Sequence, residues 1–208
     1  MKLRIRYNSP VILTYALACA VVLLIDQVSG GVFIRNFFLL TPDFDSGSFL
    51  SWLRLFTYVV GHQSWTHLVS NFSFILLIGP VLEEKYGSLP LLGMMLVTAL
   101  ATAALNLLVV RTGLYGASGI VFMLVLLSSF TNIRQGEIPI TFIFIVALYI
   151  VREFVNALNP DTVSQLAHIF GGVIGGAFGF LFSKPAPAPA GPAGQAEPVE
   201  PESPEKKE

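Results

Sequence analysis

Along this chain, apolar runs about as long as a bilayer is thick alternate with short polar breaks. A helix crosses the hydrocarbon core with about 20 apolar residues, and roughly 17–25 is usual. By that measure membrane spans are expected at residues 10–28, 65–82, 89–110, 118–133, 138–151 and 162–182. Residues 30–62 behave differently. They are rich in aromatics, with Phe33, Phe37, Phe38, Phe49, Trp52 and Phe56, yet Arg35, Pro42, Asp43, Asp45 and Arg54 interrupt them. The stretch is too polar to cross and too apolar to be free coil, so it reads as a first loop whose short helices rest in the interface. Residues 83–87 read as a short turn, 111–116 as a brief connection and 132–137 as a polar turn, while Asn159-Pro160-Asp161 carries turn chemistry. The pattern specifies an all-α membrane protein, a six-transmembrane-helix bundle with an interfacial first loop.

Composition agrees with the pattern. The chain is 54% hydrophobic and 12% charged, against about 25% charged in soluble domains. A net charge of −1 gives no hint of a nucleic-acid partner, and the single Cys19 rules out an internal disulfide. Lys2, Arg4 and Arg6 before the first apolar run mimic a secretory signal peptide. Further spans follow, however, so a first span that stays in place is the simpler account. Seven of the thirteen prolines fall between Pro185 and Pro204, mixed with Ala, Gly and Glu. Such a stretch cannot bury a core. The expected organisation is therefore a membrane domain over residues 1–183 and a disordered tail over 184–208. Six spans put both termini on one side of the bilayer. The basic cluster at the N-terminus favours the cytoplasmic side of a cell (plasma or inner) membrane for both.

Polar residues inside spans are rare and usually functional. His67 and Asn71 are four apart in the second span and share a helix face. His168 lies early in the sixth span, Asn106 in the third, and Asp26 at the end of the first. Interhelical hydrogen bonding, worth only about 1 kcal/mol in membranes, would explain any one of them. Their depth argues for more. Residues 118–133 reach only about 24 Å, short of a core about 30 Å thick. Ser118, in Gly116-Ala117-Ser118-Gly119, must then start below the surface, in the same leaflet as His67, Asn71 and His168. Gly171, Gly172, Gly175, Gly176 and Gly179 follow His168 within about 140° of helical arc, a face that lets a neighbouring helix approach closely.

A serine at a helix start is ordinarily a cap. With a histidine at the same depth it can instead be a nucleophile: Ser118 attacks, and His168 takes its proton and passes it to the leaving group. The Asn71 amide, a His67 ring N–H and the Ser118 backbone N–H can donate to the oxyanion. The second to sixth spans contain no acidic residue, so a Ser–His dyad without a buried carboxylate is expected. Ile120 stands where a hydrolase elbow has its last glycine, which excludes that motif. No metal or cofactor is called for. A channel or transporter would also use in-span polar residues, but no inverted repeat is visible.

Taken together, Arg54, the His62–His67–Asn71 series, Glu83 with Gly87, Gly116-Ala117-Ser118-Gly119, and Ala167-His168 followed by Gly171 and Gly175 resemble the rhomboid intramembrane serine proteases over residues 54–182. The resemblance implies that spans two, four and six carry the site, with Ser118 as nucleophile, His168 as base, and His67, Asn71 and the Ser118 amide as the oxyanion hole. It further implies a water-filled cavity open to the outer side, gated by the 30–62 loop and span five. His62 would line the mouth of that cavity or help hold water, and Glu83 would tie down the turn after span two. Two departures stand out. Leu53-Arg54 replaces the family's Trp-Arg pair, with Trp52 one place early, and Phe122 takes a position where many members have Tyr, able to pack on the His168 ring. Substrates would be single-span membrane proteins, unwound near the outer end of the span, because a helix hides its carbonyls in its own hydrogen bonds. The alternative within the family is a catalytically inactive member that binds membrane clients.

Overall fold

The computed structural model describes residues 7–130 and 165–182, with the helical positions Ile140, Ile143, Phe144, Ala147, Leu148 and Val151. The turn expected at 132–137, most of the fifth span, the loop at 156–161 and the tail from 184 lie outside the described residues. In chain order the elements are α1 (Pro10–Val28), α2 (Val32–Phe37), α3 (Phe49–Thr57) running into a 3-10 turn (Tyr58–Val60), α4 (Trp65–Tyr86), α5 (Ser88–Leu105) running into a π turn (Asn106–Val110), α6 (Ser118–Phe130) and α7 (Gln165–Phe182). Among the described residues there is no β-strand, only one isolated bridge between Leu40 and Leu114.

Three helices, Pro10–Val28, Trp65–Tyr86 and Ser88–Val110, are long and apolar enough to cross a membrane. At 1.5 Å per residue they reach about 28, 33 and 35 Å, against a core about 30 Å thick. The chain is a multi-pass integral membrane protein. Helix α6 has 13 residues, or about 20 Å, and lies at the centre, with Ile120 to Val125 all buried. A helix that is apolar all round belongs in such a place.

Helix α4 runs a turn further than the hydrophobic pattern indicates. Residues 83–86 are helical rather than a turn, and the helix passes through Pro80 and stops at Gly87. Gly87 has φ +89 and donates its N–H to the Glu83 carbonyl, a conformation that favours glycine at a helix end. The extra turn buries Glu83. Its Oε1 accepts from the Val11 N–H (3.0 Å) and from the Ser88 hydroxyl (2.7 Å), and its Oε2 accepts from the Ile12 N–H (3.0 Å). One carboxylate thus caps the start of α1, where Ser9 makes no side-chain cap bond, and also holds the start of α5. Negative charge at a helix N-terminus is favourable, and a hydrogen bond to a charged group is worth about 1.5–3 kcal/mol. Just above it, α1 lies so close to α4 that a Cβ on Gly79 would fall 2.6 Å from Ile12 Cδ1.

The 30–62 stretch forms two short helices. Asp26 Oδ1 accepts from the Ile34 N–H in the first turn of α2 (2.7 Å), and Arg54 donates from α3 to the Asn36 carbonyl of α2. Trp52 Nε1 donates to the Ser46 carbonyl (3.0 Å), and its ring meets Phe44 edge-on. Helix α3 buries Ser51 and Leu55 and exposes Phe49, Trp52, Leu53 and Phe56. That exposed stripe has i, i+3, i+4, i+7 spacing, suited to the interface.

Candidate active site

The loop between α5 and α6 is built before it reaches Ser118. The π turn ends at Arg111, which takes φ +55 and donates its N–H to the Asn106 carbonyl. Asn106 Nδ2 donates to the Thr112 carbonyl (2.7 Å), and the Thr112 hydroxyl donates back to Asn106 Oδ1 (3.3 Å). The in-span polarity of Asn106 therefore serves to close a helix end. Leu114 and Leu40 exchange two backbone hydrogen bonds, of 3.0 and 2.9 Å, and the Gly116 N–H donates to the Tyr58 carbonyl (3.0 Å). Helix α6 then starts, with the Val121 N–H donating to the carbonyl of the fully buried Ala117. Ser118 is half-buried at the first turn, where backbone N–H groups have no partner inside the helix.

His67 comes to this loop from α4. The Ser64 side chain caps α4 by accepting the His67 N–H (3.2 Å), which fixes His67 in the first turn. Its ring lies over Gly116. A Cβ on that glycine would fall 2.7 Å from His67 Cε1 and 3.0 Å from Nε2, and Gly116 itself sits at φ +111. Only glycine fits both the space and the conformation. One turn along α4, Asn71 is buried and its Nδ2 has no partner among the described residues. A buried amide donor left unpaired costs about 1–3 kcal/mol.

His62 is fully buried beside them, its ring 5.1 Å from His67 and 5.8 Å from Phe72. Its Nδ1 lies 3.1 Å from the Val60 carbonyl. A carbonyl only accepts, so Nδ1 carries the proton and Nε2 is left as an acceptor. Burial pushes the imidazole down to about 4, opposed by the Val60 bond and aided by His67, which keeps the ring neutral. A cavity of about 270 Å³ adjoins it, walled by Asp26, Arg35, His62, Gln63 and Tyr115. Asp26, distant in sequence, thus lies at the serine end of the bundle. A larger, polar cleft of about 450 Å³ lies at the opposite end, around Glu83 and Ser88; no histidine reaches it.

Helix α7 meets α6 along its glycines. A Cβ on Gly171 would fall 2.2 Å from the Gly119 carbonyl oxygen, and one on Gly175 2.4 Å from that of Met123. Both numbers rise together along the two helices, so α6 and α7 run parallel with backbones in contact. Phe122 is buried in this seam, its Cδ1 facing Gly172. His168 is helical and stands one turn before Gly171, as Ser118 stands one residue before Gly119. The side chain of His168 lies outside the described residues. Along the axis the two backbone positions differ by about 3 Å. Gly116, Gly119, His62, His67, Gly171 and Ser118 are thus gathered at one end, with Asn71 one turn along the His67 face. Arg54 ties the first loop together, and Glu83 lies about 24 Å from His67 along α4. Among the described residues no three His, Cys, Asp or Glu side chains converge where a metal ion could sit. Residue types alone could not disclose the holds on the serine loop, which are made largely by backbone carbonyls.

A model of the Rhomboid domain matches residues 50–185. The chain is similar to the rhomboid protease GlpG of Haemophilus influenzae, with 26% identity over 134 residues, 63% of this chain and 70% of that protein. It is also similar to Rhomboid-like protein 11, chloroplastic, of Arabidopsis thaliana, with 26% identity over 153 residues, 66% of this chain and 55% of that protein. The chain therefore spans about half the length of the plant relative.

Proposed function

Since the chain belongs to the rhomboid family, we propose that it is an intramembrane serine endopeptidase that cuts single-span membrane proteins with a Ser118–His168 dyad. The observation that carries the reading is the backbone contact of Gly171 with Gly119, one turn after His168 and one residue after Ser118. So close an approach is possible only because Gly171 carries no side chain. The Asn71 amide, which has no partner among the described residues, and the His67 ring over Gly116 support an oxyanion hole on the same side.

Ser118 Oγ attacks the substrate carbonyl while His168 accepts its proton. The negative oxygen is held by the Ser118 N–H, a His67 ring N–H and Asn71 Nδ2. His168 then protonates the leaving amine, and water releases the acyl chain. The domain is a six-span bundle over residues 1–183 in the cell membrane, with both termini and the 184–208 tail cytoplasmic and Ser118 in the outer leaflet. The first loop or span five admits the substrate.

Purified protein in detergent is expected to cleave a single-span reporter and to label at Ser118 with a fluorophosphonate. Ser118→Ala and His168→Ala abolish cleavage, and Asn71→Ala slows it by about 10²–10³. Activity that survives Ser118→Ala would end the assignment. Reporter binding without cleavage or labelling in the unaltered protein would instead favour an inactive, client-binding member.

A further inference from the structure

The 3-10 turn Tyr58–Val60 is only three residues long, so its carbonyls find few partners inside the turn. Buried carbonyls need partners, and these three find theirs in the serine loop, in α1 and in the His62 ring just beyond the turn. The Tyr58 carbonyl accepts the Gly116 N–H of the serine loop (3.0 Å) as well as the Gly61 N–H (3.2 Å). The Val59 carbonyl accepts the Tyr15 hydroxyl of α1 (2.7 Å), and the Val60 carbonyl accepts His62 Nδ1 (3.1 Å). The Tyr58 side chain, 2% exposed, donates its hydroxyl to the Ala99 carbonyl of α5 (3.2 Å). The turn is thereby pinned to α1 and α5, and it in turn holds the serine loop and the His62 ring.

We infer that Tyr58 is a positioning residue for Ser118. Its hydroxyl sets the height of the turn against α5, and its carbonyl sets the height of Gly116 against the His67 ring. Gly116 has no side chain with which to hold itself and occupies φ +111, a region open to glycine's free backbone. Besides the Leu114–Leu40 pair two residues earlier, the Tyr58 carbonyl is the hydrogen-bonded tether that fixes it. Two residues later comes Ser118. A shift of the turn moves the serine and its N–H relative to the Asn71 and His67 donors, and displacements of about 1 Å can cost about 10²-fold in rate. The catalytic consequence rests on the protease reading; the tether does not.

Tyr58→Phe removes one hydroxyl and keeps the ring. In the purified full chain it is expected to slow fluorophosphonate labelling of Ser118 and the kcat for a reporter about tenfold, with KM within about twofold. Ser129→Ala is the control, because it removes a buried hydroxyl whose bond among the described residues lies within α6, to the Val125 carbonyl (3.0 Å). It is expected to lower Tm and leave labelling unchanged. Tyr58→Phe that lowers Tm but labels at the unaltered rate overturns the inference. Should that variant not fold, Tyr15→Phe, which frees the next carbonyl of the same turn, is read the same way. If the unaltered protein does not label at all, the protease reading fails and amide exchange across residues 112–117 decides. Exchange faster in Tyr58→Phe than in Ser129→Ala sustains the tether, and equal exchange overturns it.

Discussion

Gly116 and His62 show how much chemistry a single backbone or ring position carries here. Gly116 is held at φ +111 with the His67 ring where a Cβ would be. Gly116→Ala is therefore expected to displace the ring and cut cleavage by about 10²-fold, with a stability loss of about 1–3 kcal/mol. Reporter turnover and Tm measured together test this; unchanged turnover would show that the ring has room. His62 makes a pH prediction. Burial pushes it from 6.5 to about 4, so between those values the unfolded chain binds a proton that the folded chain refuses. Stability then falls as pH drops through about 6.5 and levels off below about 4, a loss of roughly 3 kcal/mol. Thermal unfolding in detergent over that window is expected to show the decline, and His62→Gln to flatten it. Parallel profiles for the two proteins would remove His62 as the cause. The sequence alone marked both positions, Gly116 by its motif and His62 by its place in a histidine series. The His67 ring above the glycine and the Tyr58 carbonyl that holds its N–H belong to residues far back in the chain, and neither contact is visible in one dimension.

At the level of elements, the seam between α6 and α7 is the most exacting contact. The glycine face after His168 is legible from spacing, and the structure lays it on Gly119 and Met123 with no gap for a Cβ. Gly171→Leu is expected to force the helices apart, abolish reporter cleavage and lower Tm. The same substitution at Gly93, where a Cβ would meet nothing within 4 Å, is expected to change little. Equal effects at the two sites would mean that the seam is not the sensitive contact. Glu83 teaches the complementary lesson. Its motif marks it as structural, and it does hold Ser88 beyond the end of α4. Its bonds to Val11 and Ile12 lie 72 and 71 residues back, a pairing no local pattern contains. The end of α4 lies beyond the apolar run for a related reason: packing against α1 carries the helix through Pro80 and the Glu83–Glu84 pair to Gly87.

At the scale of the whole molecule, the short buried α6 packs against α4, α5 and α7, while α1 lies against α4 and the aromatic-faced α3 against α5. The six-span reading places both termini on one side of the bilayer. Reporter enzymes fused before residue 2 and after residue 183 are expected to report the same compartment, the cytoplasm. Opposite compartments would require an odd number of crossings. The exposed stripe of Phe49, Trp52, Leu53 and Phe56 fits a helix lying in the interface, where aromatic side chains are favoured.

What the sequence by itself determined is whatever depends on composition and local spacing: a membrane chain, the positions of its long apolar helices, the glycine face of α7, and a short polar set worth testing as a site. These follow from hydrophobic length and helical period, which are properties of neighbouring residues. Only the tertiary structure decided which groups meet. It brought the Tyr58 carbonyl to Gly116, Leu40 to Leu114, the Glu83 carboxylate to the start of α1 and the His67 ring over Gly116. Most of these contacts end on backbone N–H and carbonyl groups. Almost every residue has both, so the choice among them is made by packing rather than by residue type.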